Sequence, residues 1–188
     1  MGRPPSGEDE VATRDRLIAA SIEVFVEHGF RQASLTEIAK RAGISGPAVY
    51  KHFDGKADLL MQAARCSLDS LLTVAPAAEL TPAETARRWL ADDFAHTRRL
   101  LLELHLAAAR EVDLASLLAD WHRERTREWQ SRHAYSLERI KAFYLLLLGL
   151  AHVDGLDSLA VEPDHLRECV DRMVGALFAD PPLPCDRN

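Results

Sequence analysis

Six polar side chains between positions 34 and 56 share the chemistry needed to bind an anionic, hydrogen-bonding partner. They are Ser34, Thr36, Tyr50, Lys51, His52 and Lys56. Hydroxyl, imidazole and ammonium groups donate hydrogen bonds to phosphate oxygens and to the edges of bases, and none of these contacts requires a covalent step. The chemistry on offer is noncovalent recognition, provided that the local helices place these groups on one surface.

Catalytic and metal-binding constellations are not indicated elsewhere in the sequence. The eight histidines include no pair at i, i+4 with an acidic partner, and the three cysteines lack the spacing of zinc ligands. The pattern also contains no nucleophile–base pair and no glycine-rich phosphate loop. We therefore expect no catalytic residue, no metal and no cofactor. Cys66 and Cys169 are expected to be inert core residues of a protein from a reducing compartment.

Length and composition are those of a globular protein with one domain or two small ones. The chain has 188 residues, of which 47% are apolar and 28% are charged. Its apolar runs are far shorter than the roughly 20 residues that span a bilayer, and the N-terminus shows no secretory signal. These features predict a cytoplasmic protein. The net charge is −6, yet positions 28–56 carry five cations against two acids, which weakly favours phosphate binding.

Helical periodicity runs through nearly the whole chain and predicts an all-α fold of about nine helices. A first helix is expected to begin after Thr13, as its N-cap, and to end at Gly29. A second helix is expected to begin with the capping box Ser34-Leu35-Thr36-Glu37, in which the serine oxygen and the glutamate carboxylate each accept from a backbone amide. This helix is expected to end at Gly43.

A third and very short helix has Ser45 as its N-cap and Pro47 in its first turn, and is expected to extend to Phe53. Further along, Thr81-Pro82-Ala83-Glu84 combines an N-cap, a proline and a capping-box glutamate, which predicts the start of a long helix. The last two long helices are expected at Leu137–Val153 and from Pro163 onward.

The second and third helices, joined by a turn that contains Gly43 and Ile44, have the layout of a helix-turn-helix unit. Apolar residues of this unit are expected to pack inward against the first helix. They are Ile38, Ala39, Ile44, Val49 and Phe53, opposite Ile18, Ile22 and Phe25. The remaining positions are then left outside, and they are Thr36, Ser45, Gly46, Ala48, Tyr50, Lys51 and His52. Small residues at the start of the third helix allow a close approach to a DNA groove.

The segments Val24–Phe30, Ala33–Ala39, Ala42–Phe53 and Gly55–Leu60 resemble, in order and spacing, the N-terminal domain of TetR-type bacterial transcriptional regulators. The resemblance implies a flexible tail over 1–12, a DNA-binding domain over 13–58 with its helix-turn-helix at about 34–53, an effector-binding and dimerisation domain over 59–180 and a tail over 181–188. The implied phosphate contacts are Ser34, Tyr50, His52 and Lys56. The residues implied to lie against base edges are Thr36, Gly46, Pro47, Ala48 and Lys51, with Ser45 at the same surface.

The same resemblance implies a homodimer formed by the last two long helices. Leu145–Leu148 makes one of them apolar all round, which requires burial on more than one side. A C2 dimer places its reading helices one DNA turn apart, roughly 34–36 Å, as a palindromic operator requires. The expected partners are thus operator DNA, a second copy of the chain and a small-molecule effector that releases the repressor, with no membrane partner.

The effector is expected to bind among the middle helices, because binding pockets combine aromatic walls with a few polar groups. The candidate lining residues are Trp89, Phe94, Leu101, Leu104, His105, Trp121, His122, Trp129 and Tyr144. For each aromatic residue, ordinary core packing is the competing interpretation. Two other functions also remain open: a small helical enzyme with His105 or His122 as base, and an activator or adaptor that binds a protein through its acidic C-terminal part.

Overall fold

The computed structural model of the protein describes residues 7–73, 80–133, 135–155 and 162–179. Every regular element in those ranges is helical, which confirms the all-α prediction. The α-helices are α1 Gly7–Gln32, α2 Leu35–Ala42, α3 Gly46–Val49, α4 Lys56–Thr73, α5 Pro82–Trp89, α6 Ala95–Ala108, α7 Val112–His133, α8 Leu137–Leu150 and α9 Pro163–Phe178. In the same ranges, no helix has both the length and the apolar character to cross a membrane.

The chain divides into two compact units whose limits differ from the expected domains. One unit combines Met1–Ser70 with Arg99–Asp120, and the other combines Leu71–Arg98 with Trp121–Asn188. Segment 99–120 belongs with the N-terminal helices in this division, and its residues Leu100, Leu104 and Leu114 are fully buried. The expected domain boundary after position 58 stays a prediction.

α1 begins earlier than its sequence signals indicated. The prediction of Thr13 as N-cap is wrong, because the helix already begins at Gly7 and the Thr13 hydroxyl donates to the Asp9 carbonyl inside it, at 2.7 Å. Such an i−4 bond lets a threonine sit within a helix. Residues 7–12 are therefore helical, whereas the rest of the two expected tails, 1–6 and 181–188, lies outside the described residues.

α1 packs against α2, and α2 packs against α3, as the helix-turn-helix layout predicted. The expected inward residues Ile38, Ala39, Val49 and Phe53 are buried, together with Ile18 and Phe25 of α1, while Ile22 and Ile44 are half-buried. Gly29 interrupts α1 with a φ of 69°, and Gly43 ends α2 with a φ of 68°. The predicted end of α2 at Gly43 is confirmed, and regular helix in α1 stops at Gly29 as predicted, since this left-handed backbone favours glycine. Residues 30–33, which follow the Gly29 kink and include the last turn of α1, are called the α1–α2 connection.

The core of the second unit is formed by residues of α5, α7, α8 and α9. Its buried members are Ala86, Leu90, Trp129, Ile140, Phe143, Val170 and Val174. The predicted capping box at the start of α5 is confirmed: the Glu84 amide donates to Thr81 Oγ1 at 3.2 Å, and Glu84 Oε2 accepts from the Thr81 amide at 2.8 Å. The expected helix starts at Leu137 and Pro163 are also found.

Arg98 explains why α5 is short. The long helix predicted from Thr81 is wrong, because α5 ends at Trp89 after eight residues. The Arg98 guanidinium, 2% exposed, donates to the carbonyls of Trp89 and Ala91 and forms a two-bond ion pair with Asp154, at 2.7 and 2.6 Å. The guanidinium thus donates to backbone carbonyls that would otherwise need the amides of a further helical turn as donors.

Cys66 and Cys169 are both exposed, so their expected place in the core is wrong. The buried positions of α9 are Val170 and Val174, which face away from Cys169. The Cys169 sulfur accepts a hydrogen bond from Arg172 at 3.6 Å on the helix surface.

Candidate nucleic-acid interface

The start of α2 is capped by Ser34, although only half of the predicted capping box forms. Ser34 Oγ accepts from the Glu37 amide at 3.1 Å. The Glu37 carboxylate, however, faces His28 Nε2 at 3.2 Å and Arg41 at 3.7 Å instead of the Ser34 amide. The expected reciprocal bond is therefore wrong, because the His28 ring and the Arg41 guanidinium take up the same carboxylate. The Ser34 hydroxyl hydrogen remains available to an outside acceptor.

An ion-pair cluster joins α2 to α1. Arg41 lies 2.8 Å from Glu27 and 3.7 Å from Glu23, both on α1. The hydrogen bond that Arg41 donates to the Glu27 carboxylate, followed by the charges of the surrounding carboxylates, raises the pKa of Arg41 above its ordinary value. The positive charge of Arg41 is thus neutralised within the protein. Arg41 therefore holds α2 against α1, and its charge is not available to a partner.

α3 is a single helical turn that continues as tighter turns. Ser45 is its N-cap without a side-chain hydrogen bond, and regular helix covers only Gly46–Val49. Beyond it, the amides of Lys51 and His52 donate to the carbonyls three residues earlier, at 3.2 and 3.0 Å. The segment expected to be helical up to Phe53 is therefore tighter in its second half, as 3-10 hydrogen bonds produce.

The predicted contact residues lie mainly on the outward side of α2 and α3. Tyr50 is the most prominent, with 65% of its surface exposed. Among the others, Ser34, Thr36, Ser45, Pro47 and Lys51 are exposed, and Gly46, Ala48, His52 and Lys56 are half-buried. Val49 and Phe53, in the same stretch, are buried, so one side of the segment holds the core and the other is left free for a partner.

Lys51 carries the positive charge of this outward side. In the part of the chain that the structure describes, its ammonium has no acidic partner, and the neighbouring residues Tyr50 and His52 add two further donors. A partly exposed cation without a carboxylate partner costs little to bring against phosphate or a base edge. Among the described residues, this outward surface thus offers a cation without an acidic partner in addition to its hydroxyl and imidazole groups.

Lys56 donates hydrogen bonds to backbone carbonyls of the protein itself, which the sequence did not predict. Its Nζ donates to the carbonyls of Phe30 at 2.7 Å and Ala33 at 3.1 Å, and lies 4.4 Å from the centre of the Phe30 ring. Its place in the first turn of α4 therefore needs no external anion to explain it. One N–H of the three remains for a phosphate.

Glu103 of α6 contacts the main chain of the α1–α2 connection, to which Lys56 also donates. Its Oε2 accepts from the Phe30 amide at 3.0 Å. Glu103 and Phe30 are far apart in sequence, so no local pattern could indicate this contact. The only sequence signal is an acid in the otherwise apolar stripe of α6.

Together the capped α2, the glycine turn and the short α3 form a helix-turn-helix unit whose outward side carries hydrogen-bond donors, the arrangement of a DNA-binding protein. Residues 17–63 match the family model described as "Bacterial regulatory proteins, tetR family". Over residues 17–63 the chain is therefore similar to the helix-turn-helix domain of the TetR family of transcriptional regulators.

Curated relatives agree over the same region. Identity is 47% over 60 residues with the HTH-type transcriptional regulator SrpR of Pseudomonas putida and 40% over 60 residues with the transcriptional activator FasR of Mycolicibacterium smegmatis. Each match covers 32% of this chain but only 28% and 27% of the relative. The transcriptional repressor BepR of Brucella suis is 45% identical over 47 residues, which is 25% of this chain and 22% of that protein.

The fold of the remaining chain is also found among solved structures. A transcriptional regulator from Rhodococcus sp. Rha1 superposes with a TM-score of 0.66 and 24% identity, covering 88% of this chain and 95% of the other. At that identity the likeness concerns the fold alone. The sequence match thus concerns residues 17–63, whereas the likeness of fold covers 88% of the chain.

The candidate effector residues are distributed over both units. Leu101, Leu104 and His105 belong to the first unit, and the other six belong to the second. Several have packing roles of their own: Trp129 is part of the second unit's core, and Trp89 Nε1 donates to the Leu147 carbonyl at 2.8 Å. His105 Nδ1 lies 2.8 Å from the Leu101 carbonyl. An effector role for these residues stays a prediction.

His122 and Tyr144 are the candidates that combine aromatic contact with polar chemistry. The His122 ring lies 6.0 Å from the Tyr144 ring and 5.5 Å from the Trp121 ring. Burial raises the pKa of Tyr144 above its ordinary value, and its hydroxyl, like that of any tyrosine, is protonated at neutral pH. Within the described residues no group of histidine, cysteine and acidic side chains is arranged to hold a metal ion.

Proposed function

We propose that the protein is a homodimeric transcriptional repressor that binds a palindromic operator and is released by a small-molecule effector. The observation that carries the proposal is the division of α2 and α3 into a buried apolar side and an exposed polar side. Such a division is required of a unit that must fold against α1 and still lie in a major groove. Its site of action would be the cytoplasm, where bacterial DNA lies.

In this proposal the DNA contacts fall into two groups. Phosphates are bound by Ser34, Tyr50, His52 and Lys56, and base edges are approached by Thr36, Ser45, Gly46, Pro47, Ala48 and Lys51. Gly46 and Ala48 have no hydrogen-bonding side chains, so direct base recognition depends on Thr36 and Lys51. Apolar contact of Pro47 or Ala48 with a thymine methyl group and the shape of the DNA supply the remaining specificity.

Dimerisation through α8 and α9 is supported by the apolar surface that these helices leave uncovered. Leu145 of α8 is 70% exposed and Met173 of α9 is 47% exposed, although α8 and α9 pack against each other elsewhere. Large exposed apolar side chains on adjacent helices are typical of subunit interfaces. A second copy of the chain would cover them and would bring two helix-turn-helix units to one operator.

Selection of bound DNA from a randomised duplex pool tests the proposal directly. The full-length protein is expected to enrich a palindrome whose half-sites are one DNA turn apart, and a Lys51→Ala variant is expected to change the enriched bases. Arg110→Ala removes an equally exposed cation outside the proposed surface and should leave the enriched sequence unchanged. Folded protein that retains no duplex even at low salt would contradict the proposal.

The direction of regulation and the effector need separate measurements. BepR is named a repressor and FasR an activator, so activation is the second candidate. A reporter downstream of the selected operator is expected to fall as the protein is added, and a rise would favour activation. Screening small molecules for release of the operator then identifies the effector; for 100-fold release it must favour the released state by about 2.7 kcal/mol. The enzyme alternative is set aside because the relatives named above are transcriptional regulators.

A further inference from the structure

Two charged side chains hold the main chain on either side of the Phe30 Cα atom. The Glu103 carboxylate accepts from the Phe30 amide at 3.0 Å, and the Lys56 ammonium donates to the Phe30 carbonyl at 2.7 Å. The Lys56 ammonium also donates to the carbonyl of Ala33, whose amide in turn donates to the Gly29 carbonyl at 3.1 Å. The short connection from α1 to α2 is therefore fixed by hydrogen bonds at successive points.

Gly29 is required for this arrangement in two ways. Its φ of 69° lies in the left-handed region, where a side chain is disfavoured. In addition, a Cβ atom at this position would lie 3.0 Å from Glu103 Oε2 and 3.4 Å from Glu103 Cδ. A side chain at this position would crowd the Glu103 carboxylate that accepts from the Phe30 amide. The missing side chain thus makes room for Glu103 as well as ending the regular helix.

We propose that Glu103 is a positioning residue for DNA binding, which acts through the Phe30 main chain and does not touch DNA. The inference rests on the proposed function. Phe30 is buried, so its amide needs an acceptor. The connection that contains Phe30 leads directly to Ser34, the N-cap of α2. Holding the amide fixes the direction in which α2 and the following α3 leave α1.

The sign of the effect separates positioning from electrostatics. Glu103 is an acid, so simple repulsion from DNA phosphates predicts that its removal strengthens binding. Positioning predicts the opposite, because the α1–α2 connection loses the acceptor that fixes it. A Glu103→Gln variant removes the charge but keeps an oxygen that accepts from the Phe30 amide. It therefore separates the role of the charge from the role of the hydrogen bond.

The experiment compares full-length wild type, Glu103→Ala and Glu103→Gln on the operator selected by the wild type. We expect the Ala variant to bind roughly tenfold more weakly, as for the loss of one hydrogen bond to a charged group, with the same dependence on salt. The Gln variant should recover most of the affinity. Glu111→Ala, which removes an exposed acid outside the α1–α2 connection, is the matched control and should bind as tightly as the wild type or slightly more tightly.

Hydrogen exchange at the Phe30 amide tests the same contact independently of DNA. In the full chain this amide should exchange slowly in the wild type and the Gln variant and rapidly in the Ala variant, at temperatures at which thermal unfolding shows all three to be folded. If the Ala variant does not fold, the operator affinity of the Gln variant and the exchange rate of its Phe30 amide test the positioning role.

Wild-type affinity in the Ala variant, or equal losses in the Ala and Gln variants, would overturn the positioning role while leaving the proposed function intact. A wild type that binds no duplex would overturn both, so the two failures are distinguishable.

Discussion

Lys51 and Lys56 are cations of the same region, but their surroundings give them different tasks. Lys51 is exposed and, among the described residues, has no ion-pair partner. Lys56 is half-buried and gives two of its three N–H groups to the carbonyls of Phe30 and Ala33. Truncating each side chain should therefore disturb DNA binding in a different way.

Replacing Lys51 with alanine is expected to alter base preference and to leave the fold unchanged. A side-chain contact with a base edge contributes about 1–3 kcal/mol of discrimination, so the preference at one position of each half-site should fall by that amount. Competition binding with operator variants measures the change, and thermal unfolding checks the fold. A uniform loss of affinity over all sequences would instead assign Lys51 to a phosphate.

Replacing Lys56 with alanine is expected to weaken binding to every sequence and also to destabilise the protein. One lost phosphate contact reduces the slope of log affinity against log salt by about 0.9, and the loss of the hydrogen bonds to the two carbonyls lowers the free energy of unfolding by about 2 kcal/mol. Lys40→Ala removes an exposed cation of α2 and should leave stability unchanged. A lower stability with an unchanged salt slope would restrict Lys56 to the carbonyl contacts.

At the scale of the element, the capping box at the start of α5 makes stability depend on pH. Hydrogen bonds from Thr81, first from its side chain and then from its backbone amide, lower the pKa of Glu84. A carboxyl group with a lower pKa in the folded state stabilises the fold above its unfolded pKa of about 4.3 and loses this contribution as the pH falls through the folded pKa.

The wild-type free energy of unfolding should thus fall more steeply below pH 4 or so than that of a Glu84→Gln variant. Denaturant unfolding over a pH series measures both proteins. Curves that remain parallel through this acidic range would contradict the assignment.

The Arg98–Asp154 pair is expected to contribute strongly to the second unit. Asp154→Ala would leave the guanidinium buried without its carboxylate, which costs roughly 3–5 kcal/mol. The control is Asp164→Ala, which removes an exposed carboxylate 2.8 Å from Arg167; surface pairs of this kind contribute about 0–1 kcal/mol. Chemical denaturation should separate the two variants clearly, and similar small losses would show that Arg98 is satisfied by the carbonyls alone.

Several helix starts and ends were predictable from local signals, although the N-cap predicted at Thr13 was wrong. Ser34, Gly43 and the Thr81 capping box satisfy backbone groups within a few residues, so the sequence pattern suffices to locate them. The length of α5 was not predictable, because its end depends on Arg98 and a distant carboxylate. The Glu103 contact escaped prediction for the same reason. In the candidate site, the burial of Val49 and the exposure of Tyr50 followed from helical spacing, whereas the partners of Lys56 did not.

At the scale of the whole molecule, the proposed operator requires two copies of the chain. Leu145→Glu is expected to convert dimer to monomer, since a carboxylate opposite an apolar partner surface is costly to desolvate. Because Leu145 is already 70% exposed, each chain should stay folded. Sedimentation and operator binding should both report the loss, whereas Leu106→Glu, at a 55% exposed site of the first unit, should change neither. A Leu145→Glu protein that remains dimeric would place the subunit interface elsewhere.

A reading helix of only four residues, Gly46–Val49, has no independent stability, because helix nucleation is costly. Its shape is imposed by anchoring side chains such as Val49 and Phe53, which point away from any groove. Exchanging Pro47 or Lys51 removes no such anchor. If α3 recognises the operator as proposed, single substitutions at its exposed positions would change the preferred DNA sequence and leave the fold intact.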